Sequence, residues 1–128
     1  MLALLHQLAR LYGAQTAYYD IEHRHQPASV EALLAVLKAL GAPVSRLEDA
    51  PTALRERRQA LWQRPLEPVA VSWDDDPTSA EVRLPADSAD SVLAGHITLE
   101  SGETLVWERR GADIPVVKAT EIEGRPYM

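Results

Sequence analysis

The chain has 128 residues and a mass of 14.1 kDa, with 46% hydrophobic and 25% charged residues and a formal net charge of −6. That is about the length of one ordinary domain, which excludes a multi-domain enzyme with its own large catalytic barrel. The acidic balance disfavours nucleic acid or an anionic membrane as partner, and the absence of Cys excludes disulfides, thiolate catalysis and Cys-based zinc sites.

No apolar run approaches the ~20 residues of a membrane helix. The opening Met1-Leu2-Ala3-Leu4-Leu5-His6-Gln7 lacks the basic head and cleavage site of a signal peptide, so a cytoplasmic setting is expected. The halves differ in character. Through Gln63 the chain carries seven basic and six acidic residues and three prolines; from Arg64 it carries six basic, thirteen acidic and six prolines. This shift predicts a helical segment over 1–64 and a β segment over 65–128, joined near Arg64-Pro65-Leu66-Glu67-Pro68.

In chain order, Leu4, Leu5, Leu8, Leu11 and Tyr12 form one helical stripe, ended by Gly13. Ser29 is placed to cap a second helix with the stripe Val30, Leu33, Leu34, Leu37 and Leu40, stopped by Gly41 and Pro43. Glu31 lies one place short of a capping box and helps only through the helix dipole. A third helix is predicted from about Ala50 to Trp62, capped by Asp49, with Leu54, Leu61 and Trp62 inward.

The second segment shows a period of two. Val69, Val71 and Trp73 alternate with Ala70 and Ser72, and Asp74-Asp75-Asp76-Pro77 reads as a turn before Ala80, Val82 and Leu84. His96–Leu99 and Thr104–Trp107 flank a turn at Ser101-Gly102, a hairpin signal, and Ile114–Ile122 is a further candidate strand. Five short strands predict an antiparallel sandwich that falls short of the usual ~7.

Candidate chemistry is thin. His23-Arg24-His25 is the densest histidine group, but zinc needs three or four convergent ligands, and a solvated loop between helices accounts for it better. The three consecutive aspartates lack the alternation and glycine of a calcium loop and cannot hold two carboxylates rigidly across a sugar. Arg55-Glu56-Arg57-Arg58 reads as a solvated helix face. Trp73 and Trp107 are the candidate sugar platform, yet both fall on the apolar phase of their strands, which predicts core. Neither a phosphate-binding Gly-rich loop nor a G-x-S-x-G element is present. No catalytic residue, cofactor site or metal site is assigned.

One further signal comes from likeness. Leu8-Ala9-Arg10-Leu11-Tyr12-Gly13-Ala14-Gln15-Thr16-Ala17-Tyr18-Tyr19-Asp20 resembles the opening of bacterial 4-α-glucanotransferases, the amylomaltases. The resemblance continues through the stretch Pro27 to Val44, through Ala53 to Arg58, and through Trp62 to Val69. It is carried most specifically by Tyr12-Gly13-x-Gln15-Thr16 with Tyr19-Asp20. Where that family usually has a Gly shortly after the Asp matching Asp20, this chain has Ile21-Glu22-His23-Arg24. The family's barrel and the short Gly-Tyr-His strand commonly following its sandwich are missing from these residues.

The resemblance implies an α+β region of N-terminal helices followed by an immunoglobulin-like β-sandwich, non-catalytic in itself. Its implied partners are the enzyme's own catalytic barrel and, by extension, α-1,4-glucan. The full enzyme would move glucan segments between maltodextrins by double displacement, with carboxylates that belong to the barrel. From the residues alone, a free-standing carbohydrate- or protein-binding module stays open as the alternative.

Overall fold

The computed structural model describes residues 1–73 and 79–128. The chain divides into two compact units, Met1–Leu61 and Trp62–Met128. The fold is α+β: three helices occupy the N-terminal half with one two-stranded antiparallel sheet between the first and second, and two further two-stranded antiparallel sheets follow among the described residues.

In the first unit, α1 (Leu2–Leu11) buries Leu5, Leu8 and Ala9, with Leu4, Leu11 and Tyr12 packed partly against them. Its end is a left-handed cap. The Gly13 N–H donates to Arg10 O (3.1 Å) and the Ala14 N–H to Ala9 O (2.9 Å), with Gly13 at φ +76°. Helix α2 (Val30–Ala39) starts as expected, the Ala32 N–H donating to Ser29 Oγ at 3.1 Å. It ends by the same device: Gly41 sits at φ +90° and the Ala42 N–H donates to Leu37 O. Ala42 and Leu37 are both buried, supplying the hydrophobic contact that accompanies this cap. Helix α3 (Ala50–Gln63) contributes Ala50, Ala53 and Leu54, so the division between the units falls within its last turn. Leu5, Leu8, Leu33 and Leu37 are wholly enclosed. At about 1.5–3 kcal/mol each, these four leucines dominate the stability of this unit.

The first departure from sequence expectation lies at Asp49. Its carboxylate accepts from the backbone N–H groups of Ser45 (2.9 Å) and Arg46 (3.1 Å), closing the 3₁₀ turn Leu47–Asp49 that precedes α3. It thus serves the turn behind it. A carboxylate has a choice of nearby amides, and the turn at Ser45 presents two at once.

The second departure is a hairpin where a polar loop is expected. β1 (Ala17–Tyr19) pairs with β2 (His25–Pro27), Tyr19 facing His25. The tip is a type I turn, the His23 N–H donating to Asp20 O at 2.9 Å, followed by His23 in the left-handed region at φ +60°.

In the second unit, β3 (Val92–Thr98) and β4 (Thr104–Arg110) form the anticipated hairpin, longer than expected at the end away from the turn. Its turn has the form of the β1–β2 tip, with Gly102 at φ +87° where that tip has His23. β5 (Thr120–Ile122) and β6 (Arg125–Tyr127) join through Glu123 and Gly124, both at positive φ, as a two-residue I′ turn requires. Only the end of the expected Ile114–Ile122 strand therefore forms. Leu84 and Met128 exchange both backbone hydrogen bonds, tying the segment before Pro85 to β6.

The segment around Val69, Val71 and Trp73 is not a strand, and these three side chains are 75%, 72% and 78% exposed. Ala80, Val82 and Leu84 form no regular strand either. The turn expected at Asp74–Pro77 lies outside the described residues. Where a continuous immunoglobulin-like sandwich is expected, the described residues of this unit form two separate hairpins, and among them Tyr127 is the buried hydrophobic side chain. Alternation determines which side chains share a face; burial additionally needs a second layer against that face.

Candidate functional site

Trp73 and Trp107 do not form the expected core. Trp73 is exposed on irregular backbone, and Trp107 stands on β4 directly opposite Gly95. The indole lies over that glycine so closely that a Cβ there would collide with ring atoms Cε2, Cζ2 and Nε1. Trp107 shares its face with Leu93, Ile97 and Leu105, and Ile97 and Leu105 are about half exposed. Among the described residues no ring contact joins Trp73 to Trp107. They are two separate exposed indoles.

Other chemistry is equally dispersed. Among the described residues no three His, Asp or Glu side chains converge as metal ligands would, and His23 and His25 are both exposed. A shallow cavity of about 200 Å³ in the first unit is lined by Gln7, Arg10, Leu11, Leu54 and Arg58. It is smaller than the roughly 300 Å³ at which small-molecule pockets begin.

The titration of Asp20, Asp49 and Glu67 is displaced downward. The Arg24 N–H leads the donors that hold Asp20 below its ordinary value, joined by Gln26, Glu22 and the Arg24 guanidinium. The amides of Ser45 and then Arg46 do the same for Asp49, and Arg83, followed by Arg64, for Glu67. A general acid near neutral pH needs the opposite shift, so these are structural acceptors.

Glu67 organises a cluster in the second unit. It accepts from Arg83 Nη2 at 2.6 Å and Arg64 Nη1 at 3.2 Å. The Arg83 guanidinium also lies 5.9 Å from the centre of the Trp62 ring, whose indole sits 6.0 Å from buried Tyr127. This Arg–aromatic group links Glu67 and Arg83 to a half-buried Trp62 and buried Tyr127.

The solvated-face reading of Arg57 is also overturned. Arg57 falls on the Ala50, Ala53, Leu54 stripe of α3, and its guanidinium stacks 4.2 Å above the Tyr12 ring. Nη2 donates to Leu11 O at 3.3 Å, capping the C-terminus of α1, while Nε is enclosed without a partner. A cation is favoured at that end of a helix.

The exposed aromatic geometry missed in sequence is at the β1–β2 hairpin. Tyr18, Tyr19 and Ile21 are 59%, 71% and 96% exposed, and the Tyr19 and His25 rings meet edge-to-face at 5.5 Å and 67°. Asp20 locks this tip. It accepts from the Glu22 and Arg24 N–H groups (both 2.9 Å), Arg24 Nε (3.2 Å) and Gln26 Nε2 (3.1 Å). The signal was present as Tyr19-Asp20 followed by His25, but three-residue strands are too short for a period of two to stand out.

No family model matches the chain, and no curated protein matches it. Among solved structures, its fold matches amylomaltase from Corynebacterium glutamicum, with a TM-score of 0.69 and 25% identity. The match covers 100% of this chain and 18% of that one, so the chain spans under a fifth of that enzyme's length. The resemblance read from Tyr12-Gly13-x-Gln15-Thr16 and Tyr19-Asp20 is thus borne out by the tertiary structure.

Proposed function

We propose that this chain is the N-terminal accessory region of a 4-α-glucanotransferase, the catalytic barrel lying outside these 128 residues. The observation that supports it is the structural likeness along the full chain to a sub-region of amylomaltase. On this reading the parent enzyme breaks an α-1,4 bond, holds the glycosyl piece on one carboxylate and passes it to another sugar's 4-hydroxyl, with a second carboxylate as acid and then base. None of those carboxylates belongs to this chain. Its own contribution is a helical segment, 1–64, and a β segment, 65–128, completed into an immunoglobulin-like sandwich by packing in the whole enzyme. The half-exposed face of Ile97, Leu105 and Trp107 is consistent with a surface that packs against more protein. The setting is cytoplasmic, with maltodextrin as substrate and no cofactor.

Extending the reading frame past Met128 and expressing the continued chain tests this. Continuation into a barrel with paired acidic residues, and disproportionation of maltotriose, is the expected result. A continued protein without a barrel, or a barrel with no glucan transfer, overturns it.

A second reading, a free-standing carbohydrate- or protein-binding β module, is favoured by one observation: Trp73 and Trp107 are 78% and 39% exposed. Titration with maltoheptaose under Trp fluorescence separates the readings. A saturable change supports direct sugar contact by the indoles, and a flat response to millimolar sugar removes it.

A further inference from the structure

The β1–β2 hairpin is tied by four hydrogen bonds to the Asp20 carboxylate although it adds no side chain to the buried core. None of residues 15–28 is among the buried core side chains, and Ala28 alone packs partly against that core. Strands of three residues are marginal by themselves. Yet the Asp20 carboxylate gathers four donors across the tip, and His23 accepts a left-handed backbone that costs a non-glycine residue about 1–2 kcal/mol. Backbone strain held in place by a converging hydrogen-bond network is a feature of binding tips.

This tip displays Tyr19 and His25. They are cross-strand partners, so alternation puts them on one face with Ala17 and Pro27, opposite the Tyr18 and Gln26 face. With the rings 5.5 Å apart at 67°, the edge of one meets the face of the other, and the pair presents an angled aromatic notch on an exposed tip. The phenol hydroxyl and imidazole nitrogens supply polar edges. The strand pair spans roughly 10 Å by 10 Å. That is far below the ~800 Å² per partner of a stable protein interface, but it suits one or two sugar rings. The net charge of −6 disfavours a nucleobase on a phosphate backbone.

We infer that the Tyr19–His25 notch is a binding site for α-1,4-linked glucose, a glucan-holding point carried by this chain. The apolar face of a pyranose stacks on one ring while its hydroxyls meet the other ring's nitrogen and the phenol edge. The choice of sugar rests on the glucanotransferase reading; the existence of the aromatic notch does not.

The test uses the 128-residue chain, with NMR signals of the Tyr19 and His25 rings followed during titration with maltoheptaose and, separately, cellohexaose. Expected are saturable shifts of both rings with maltoheptaose and weaker ones with cellohexaose. Tyr19→Ala should weaken maltoheptaose binding about tenfold, with the helical circular dichroism unchanged because the side chain lies outside the core. Shifts confined to Trp73 or Trp107, no shift at all, equal response to cellohexaose, or undiminished binding by Tyr19→Ala would each overturn the inference. A continued enzyme that transfers glucan while its Tyr19 ignores maltoheptaose sinks the notch and leaves the parent activity standing. A chain that binds maltoheptaose at Tyr19 but belongs to no glucan-transferring enzyme does the reverse.

Discussion

Replacing Arg57 by Ala gives a direct measure of how α1 is held. The guanidinium at 4.2 Å from the Tyr12 ring centre is partly desolvated, and such a contact contributes about 1 kcal/mol. Its 3.3 Å hydrogen bond to Leu11 O is long, so together with the helix dipole it adds about 0.5–1 kcal/mol. The packed stem adds about 0.5–1 kcal/mol. Against these stands the enclosed, unpartnered Nε, whose desolvation costs about 1 kcal/mol and disappears with the side chain. The expected net loss is therefore about 1–2 kcal/mol. Urea unfolding followed by far-UV circular dichroism reads it as a lower midpoint at unchanged slope. Arg57→Met, which keeps the stem and removes the orphaned nitrogen, should lose about half as much. Arg58→Ala, one position along and exposed, should stay within about 0.5 kcal/mol of the parent. If Arg57→Ala and Arg58→Ala shift the midpoint equally, the guanidinium is not a cap and the reasoning fails.

His23→Gly should stabilise the chain by about 0.5–1 kcal/mol, since glycine relieves the left-handed strain at φ +60° but adds unfolded-state freedom; a lowered thermal midpoint would contradict the turn geometry. Gly95→Ala should displace the Trp107 indole, red-shifting its fluorescence at a cost of about 1 kcal/mol, and an unchanged emission spectrum would count against the stacked arrangement. Acidification should destabilise the fold in a defined window. The folded-state values of Asp20, Asp49 and Glu67 are depressed, so their contribution is complete above the ordinary carboxylate range near pH 4 and is lost as pH falls through the lowered values. The variant carrying Asp20→Asn, Asp49→Asn and Glu67→Gln should show a flatter dependence of the urea midpoint between pH 5 and pH 2, at about those limits. An identical slope in both proteins would show that other groups govern the acid limb.

The helices were legible because everything that defines them is local. A 3.6-residue stripe marks Leu33 and Leu37 as inward, Ser29 reaches an amide three residues ahead, and Gly13 and Gly41 supply the positive φ that ends each helix within two residues. The β3–β4 hairpin was legible for the same reason, through the segments His96–Leu99 and Thr104–Trp107 and a glycine in the turn between them. The β1–β2 hairpin was not. Its strands are too short to show alternation, and its left-handed position is filled by His23 where a glycine would have announced it.

What composition and spacing determined for this protein is its helical start and its strand-forming second half, to which resemblance adds a likeness carried by Tyr12-Gly13-x-Gln15-Thr16. What only the tertiary structure decided is which side chains are covered and by what. Arg57 turns inward because α1 ends beside it, 46 residues away in the chain, where Leu11 O accepts its hydrogen bond. Val69, Val71 and Trp73 stay exposed despite their alternation because no second layer meets them among the described residues. A periodic pattern states which residues lie side by side; burial is a relation between two surfaces, and the second surface comes from elsewhere in the chain or from outside it.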